Sequence, residues 1–453
     1  MSKAFNQPFS ECLPLAGKRD SKRSLFIWFY RIIFAPVALI LSPKYLLKMK
    51  RRGDYQGAIS MRMGIRLDNW PKTEGKQRIW IQAVSLGEML VIERLIRELA
   101  DNPNTEILLT TTTSTGLKLA REKYSNICDR ICYFPMDFWP FSRKFWQRMR
   151  PDLAICAETE LWPEHMRQAA MAGVPMVLVN ARLSDRSFKI ARALNWMYRG
   201  HLRYIDRVLA ISDQDAHRFQ TIGVDTKKIS VTGNLKVDVS MGEILGKEER
   251  RAMKEKLGLG RGFVLLGSST WPGEEEALIS AFRRLRKDLS DCRLLIVPRH
   301  AERRVEIRTT LDARAQGFTY RFKSIDKSSE EVDILVADTS GELRSLATMA
   351  DLAFVGKSLP PHREGQTPIE CGLLGVPVIF GPGMSNFRSV TDGMLQAGAA
   401  VRVRDADELE ERIVALAADS SARAEISQNQ ERWAQRSRGA LDNTLRELRA
   451  FLP

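Results

Sequence analysis

Two successive series of alternating strand-like and helix-like segments constrain this chain more than any other feature. In the first series, short apolar stretches at 78–85, 106–113, 130–136, 152–158, 174–182, 207–212 and 229–235 read as buried strands. Helical stretches such as 88–100, 115–124, 140–150 and 163–172 fall between them. The alternation pauses near 236–256, where a charged helical connection is expected. It resumes with "FVLLGSS", "CRLLIVPR", "FTYRF", "DILVAD", "LAFVGKS", "VPVIFGP" and "GAAVRV", interspersed with helices at 273–289, 302–315 and 341–350, and two further helices at 406–418 and 422–450 close the chain. Such alternation demands parallel sheets covered by helices. At 453 residues the chain is too long for one core. The expectation is an α/β protein of two Rossmann-like domains, with ligands at the carboxyl edges of both sheets, facing a central cleft.

The expected boundaries are a basic N-terminal segment with an anchor helix (1–50), an N-terminal Rossmann-like domain (51–236), a linker (237–256), a C-terminal Rossmann-like domain (257–430) and a C-terminal helix (431–453) packing back on the N-terminal domain. The anchor is the run "LFIWFYRIIFAPVALIL", 25–41, flanked on both sides by Lys and Arg. A bilayer span wants about 20 apolar residues and tolerates a central Arg poorly. Seventeen residues containing Arg31 and Pro36 therefore fit a short anchor or an interfacial helix with Trp28, Phe29 and Tyr30 at headgroup level. A surplus of 15 positive charges favours an anionic partner. Nucleic acid is not expected, because the basic residues are dispersed and not interleaved with stacking aromatics. The six cysteines lack ligand or disulfide spacing and point to a reducing compartment without a metal site.

"GLGRG" at 258–262 precedes its strand, the wrong context for a dinucleotide loop, and no P-loop occurs. Polar residues gather instead at strand ends in both halves, as in a transferase with one substrate on each. The sharpest case is "AVSLGEM", 83–89, where Ser85-Leu86-Gly87-Glu88 is a capping-box string at a strand-to-helix junction. The same carboxylate stands where an α/β sheet does its chemistry. Cap and base compete for one side chain, so a catalytic Glu88 is expected to face the cleft while Ser85 caps the helix.

The strings "RRGDY", "WIQAVSLGEM", "TTTTSTG", "YFPMD", "AETELWPE", "NARLSDRS", "VTGNLKVD", "IVPRHAER", "DTSGEL" and "TPIECGLLGVPVIFGP" follow one another from about residue 50 to 390. In these the chain closely resembles the 3-deoxy-D-manno-octulosonic acid (Kdo) transferases of lipopolysaccharide biosynthesis, glycosyltransferases of the two-Rossmann GT-B type. The resemblance implies an inverting enzyme that needs no metal or other cofactor and moves Kdo from CMP-Kdo to the 6'-hydroxyl of a lipid A precursor (lipid IVA). It also implies work at the cytoplasmic face of the inner membrane, against an anionic leaflet. A sugar-nucleotide 2-epimerase or another lipid-directed GT-B enzyme is the alternative.

Residue by residue, the resemblance makes Glu88 the base, with Ser85, Gly87, Thr115, Glu160 and Arg182 shaping the acceptor or Kdo pocket. Pro298, Arg299, Ser340, Gly341, Glu342, Ser358, Thr367 and Glu370 become the donor site. His300 and His362 lie beside that site without carboxylate spacing for a hydrolytic triad. The chain departs from the family string Gly-Gly-Ser at Gly356-Lys357-Ser358, and carries Gln366 and Thr367 where His and Asn are common.

Overall fold

The computed structural model describes residues 27–34, 36, 40, 58–65, 67–239, 245–326, 328–339 and 341–452. The chain forms two compact units, one from residues up to Val239 together with Gly439 onward, the other from Ser240 to Arg438.

In the first unit, β1 (Gln77–Gln82), β2 (Thr105–Thr111), β3 (Arg130–Tyr133), β4 (Leu153–Ala157), β5 (Met176–Ala181), β6 (Arg207–Ala210) and β7 (Ile229–Val231) make one sheet in the order β3-β2-β1-β4-β5-β6-β7. Every pairing is parallel. The strands are apolar almost throughout because helices cover both faces. Within β1, Trp80 enters the cluster containing Phe134, Phe145 and Trp146, while Ile79 and Ile81 enter that of Met89, Ile92 and Leu95. His165 is wholly enclosed by the first cluster, and burial holds its pKa near 3, so the neutral ring accepts from Trp146 Nε1 at 3.2 Å. At the opposite ends of the strands, the buried Arg78 and Glu106 form an ion pair at 2.6 Å across β1 and β2.

The direction of strand addition reverses between β1 and β4, which lie side by side from Ile79↔Leu153 to Gln82↔Cys156. Loops leave these neighbours in opposite directions and open a crevice at their carboxyl ends. The C-terminal helix Ala440–Leu448 belongs to this unit: Asp238 accepts from the Gly439 and Leu441 amides at 3.2 and 2.7 Å, and Leu441 and Leu448 join the core.

The second unit repeats the plan with β8 (Phe263–Thr270), β9 (Cys292–Pro298), β10 (Tyr320–Phe322), β11 (Ile334–Val336), β12 (Leu352–Val355), β13 (Val378–Phe380) and β14 (Val401–Arg402), ordered β10-β11-β9-β8-β12-β13-β14. Its reversal lies between β8 and β12. The charged helix Lys247–Lys256, within the segment read from sequence as a linker, is held to this unit by Arg250 and Lys254, which pair with Asp351 at 2.7 and 3.0 Å.

The anchor expected over 25–41 falls partly outside the described residues. Among the described residues no helix is long and apolar enough to cross a membrane. Residues 27–34 are helical, and their polar groups are spent on the first unit. Tyr30 donates to Asp137 Oδ2 at 2.7 Å, and Arg31 makes a bidentate pair with the buried Glu164 at 2.9 and 2.7 Å. The charge that makes Arg31 costly in a bilayer is thereby neutralised by the protein. Trp28, Phe29 and Ile32 stay exposed at 57%, 45% and 69%.

Candidate functional site

The crevice of the first unit is lined by carboxylates. Ser85 follows β1 with extended backbone, and its hydroxyl accepts from the Glu88 amide at 3.4 Å, capping the helix Leu86–Val91. The Glu88 side chain folds back: Oε2 accepts from the Val84 amide at 2.8 Å and Oε1 from the Ser85 hydroxyl at 3.1 Å. This differs from the sequence expectation, in which a catalytic Glu88 leaves capping to Ser85. The Val84 N–H at the end of β1 needs an acceptor in a half-buried loop, and Glu88 is within reach.

The return does not take Glu88 away from its charged neighbours. Burial first, then the charge of Glu158, push its pKa up to about 7 against the lowering pull of Val84, Ser85 and Arg182. Glu158 lies just beyond β4 with a φ of 55°, and Arg182, just beyond β5, grips its Oε2 at 2.7 Å. Glu160, two residues on, accepts from Trp162 Nε1 at 2.5 Å, and burial followed by the charge of Glu88 raises it to about 8. The turns after β1, β4 and β5 thus assemble Glu88, Glu158, Glu160 and Arg182. Glu158 has no assigned role in the sequence reading. The only available signal is the Glu-x-Glu spacing of "AETE", which says nothing about which carboxylate meets Glu88.

Two other predicted pocket residues stand apart. Thr115 is exposed in the first turn of the helix Ser114–Tyr124, its hydroxyl 3.5 Å from that of Thr113. Gly87 is also exposed, and a Cβ there would meet only Ser85 Oγ at 3.9 Å, so no close approach requires glycine.

In the second unit, the loops after β8 and β12 share one carboxylate. Glu274, buried, accepts from the amides of Trp271, Lys357, Ser358 and Leu359 at 2.9, 2.7, 2.8 and 3.1 Å. Gly356 permits this closeness, since a Cβ there would stand 2.4 Å from Ser269 O and 2.8 Å from Glu274 Oε2. The Ser358 hydroxyl is consumed by the scaffold, donating to Val355 O at 2.6 Å and accepting from Gly381 N at 2.9 Å. Ser358 therefore shapes the predicted donor site without facing it.

Pro298 ends β9 and is buried, while Arg299 is exposed and among the described residues its guanidinium has no protein acceptor. Ser340 lies outside the described residues. Gly341 has a φ of 86°, and Glu342 precedes a helix of only five residues, Leu343–Ala347. The Glu342 carboxylate binds Lys323 Nζ at 2.6 and 2.8 Å, which lowers its pKa. Thr367 Oγ1 accepts from Ile369 N at 3.3 Å, and Glu370 is half-buried in the first turn of the helix Ile369–Leu373. His362 Nε2 lies 2.9 Å from Pro272 O, and His300 Nδ1 3.5 Å from Glu302.

Two parallel-sheet α/β units, each with a polar crevice at its reversal point, define the class of the two-Rossmann GT-B proteins. Solved structures of that kind share the fold: Anabaena HepE in complex with UDP (TM-score 0.58, 15% identity, 83% of this chain and 99% of that one) and a putative UDP-N-acetylglucosamine 2-epimerase from Listeria monocytogenes (TM-score 0.58, 13% identity, 82% and 97%). Residues 59–239 match the family model for 3-deoxy-D-manno-octulosonic-acid transferase. The 3-deoxy-D-manno-octulosonic acid transferase of Bordetella pertussis is 32% identical over 83% of this chain and 87% of its own length. That of Haemophilus influenzae is 30% identical over 93% and 95%. The chain belongs to the Kdo transferase family and is a glycosyltransferase.

Proposed function

We propose that the chain transfers Kdo from CMP-Kdo to the 6'-hydroxyl of a lipid A precursor, with inversion and without a metal. One observation carries this reading: family membership coincides with a carboxylate, Glu88, poised near neutrality at the β1/β4 crevice. In a single displacement, the acceptor oxygen bonds to the anomeric carbon as the bond from that carbon to the CMP phosphate oxygen breaks. Glu88 takes the hydroxyl proton and CMP leaves as an anion. A base is most effective when its pKa lies near working pH, and burial brings Glu88 there. The Val84 amide and Arg182 favour its charged, proton-accepting form. On the donor side, Arg299, whose guanidinium has no protein acceptor among the described residues, offers a cation to the departing CMP phosphate.

The setting proposed is the cytoplasmic face of the inner membrane. Trp28, Phe29, Ile32 and Ile33 lie exposed on the helical segment 27–34, suited to seating in an anionic leaflet. The test is incubation with lipid IVA and CMP-Kdo generated in situ, with and without EDTA. CMP release together with a Kdo-bearing lipid product, unchanged by EDTA, is expected. No CMP release from folded protein overturns the reading.

A further inference from the structure

Lys357 is one of the few non-glycine residues held at positive φ, at 57°. Glycine takes this conformation freely, whereas a residue with a Cβ is strained in it. The backbone gives no reason to keep lysine here, because the amide that binds Glu274 Oε2 at 2.7 Å would be supplied equally by glycine. The reason lies in the side chain. Lys357 Nζ sits 4.2 Å from the centre of the Trp271 ring, a cation–π contact that fixes the ammonium in place. Its nearest carboxylate is the half-exposed Glu364, at 3.7 Å.

Trp271 brings a second unused donor. Its indole Nε1 is shut off from solvent with no acceptor among the described residues. His300 and His362 flank the same ring at 5.2 and 5.9 Å between ring centres. Trp271 follows β8 and Lys357 follows β12, the two strands between which the sheet order reverses. Ligands of open parallel sheets lie at this place, and here it holds a fixed cation beside an unsatisfied N–H.

We propose that Lys357, seated on Trp271, is a second anion contact for the donor beside Arg299 and sets its affinity, binding either the nucleotide phosphate or the sugar carboxylate of CMP-Kdo. The assignment rests on the donor reading proposed above. An ammonium bonded to an anionic oxygen, once removed, costs affinity but leaves the proton-transfer step in the other unit intact.

Three variants separate charge, packing and backbone strain: K357M keeps the stem on Trp271 without charge, K357R keeps charge, and K357G relieves the positive φ. Transfer kinetics with CMP-Kdo made in situ should show KM raised about tenfold or more in K357M and K357G. K357R should stay near wild type, and kcat should change by less than about twofold in all three. K357G should also melt higher than wild type, so its loss of affinity cannot be a folding defect. Titration with CMP and with cytidine then identifies the anion. Weaker CMP but unchanged cytidine binding assigns the phosphate; unchanged CMP binding with raised KM assigns the carboxylate. An unaltered KM in both K357M and K357G overturns the proposal while leaving the donor reading standing. Failure of the wild-type protein to bind CMP or transfer Kdo removes the donor reading itself.

Discussion

Ser85 and Glu88 bond to each other twice. The Ser85 hydroxyl accepts from the Glu88 amide at 3.4 Å and donates to the Glu88 carboxylate at 3.1 Å, while that carboxylate also holds the Val84 amide at 2.8 Å. Helix cap and candidate base are therefore one side chain, and the two roles coexist because a carboxylate offers several lone pairs. Glu88→Gln keeps an acceptor for Val84 and removes the base. Transfer should fall by about 10²–10⁴-fold while the melting temperature changes little. Near-wild-type transfer would mean that Glu88 is a cap alone.

The pH profile should report the same group. With a pKa near 7, Glu88 must lose its proton to act, so kcat/KM should rise through neutrality. Glu158→Gln removes a charge that opposes this ionisation and releases Arg182 to favour it. The rising limb should move to lower pH in that variant. A limb that stays in place would show that another group controls it.

Glu160 makes a stability prediction of definite sign. Its folded-state pKa, about 8, lies above the ordinary carboxylate value of 4.5. Between those values the unfolded chain has lost the proton and the folded chain retains it, so wild-type stability falls as pH rises. Glu160→Gln, which cannot ionise, should gain in melting temperature relative to wild type from pH 5 to pH 8. A difference constant with pH would show that Glu160 is not held protonated.

Arg78 and Glu106 test the scaffold. Both are buried, and Arg78 Nε donates to Glu106 Oε1 at 2.7 Å. Glu106→Ala leaves a guanidinium inside the first unit without its counter-charge, which should cost about 3–5 kcal/mol, measured as a shift in that unit's denaturation midpoint. CMP binding, proposed for the second unit, should survive.

Gly356→Ala probes the other crevice. Its Cβ would stand 2.4 Å from Ser269 O and 2.7 Å from Thr270 Cα, both backbone atoms that cannot swing aside. The β8 and β12 loops must then part, and CMP affinity should fall together with the melting temperature of the second unit. A variant that binds CMP normally would show that the close approach of these loops is dispensable.

Local patterning was enough to read the paired α/β series, the strand-end location of the polar residues and the S-x-x-E junction at Ser85–Glu88, because period and capping chemistry act over a few residues. Strand order acts over the whole unit. Only the adjacency of β1 and β4 brings Glu88 to Glu158 and Glu160, and burial in that fold, then the charge of Glu158, raises its pKa. Arg31 shows the same division: its charge inside an apolar run is visible in the sequence, but its partner Glu164 lies 133 residues away. Lys357 is the subtler case, read from sequence as a departure from a glycine-rich string. The fold decided its meaning by holding it left-handed over Trp271. Short-range periodicity sets which residues reach the sheet edges; long-range packing decides which of them meet, and electrostatics follows distance.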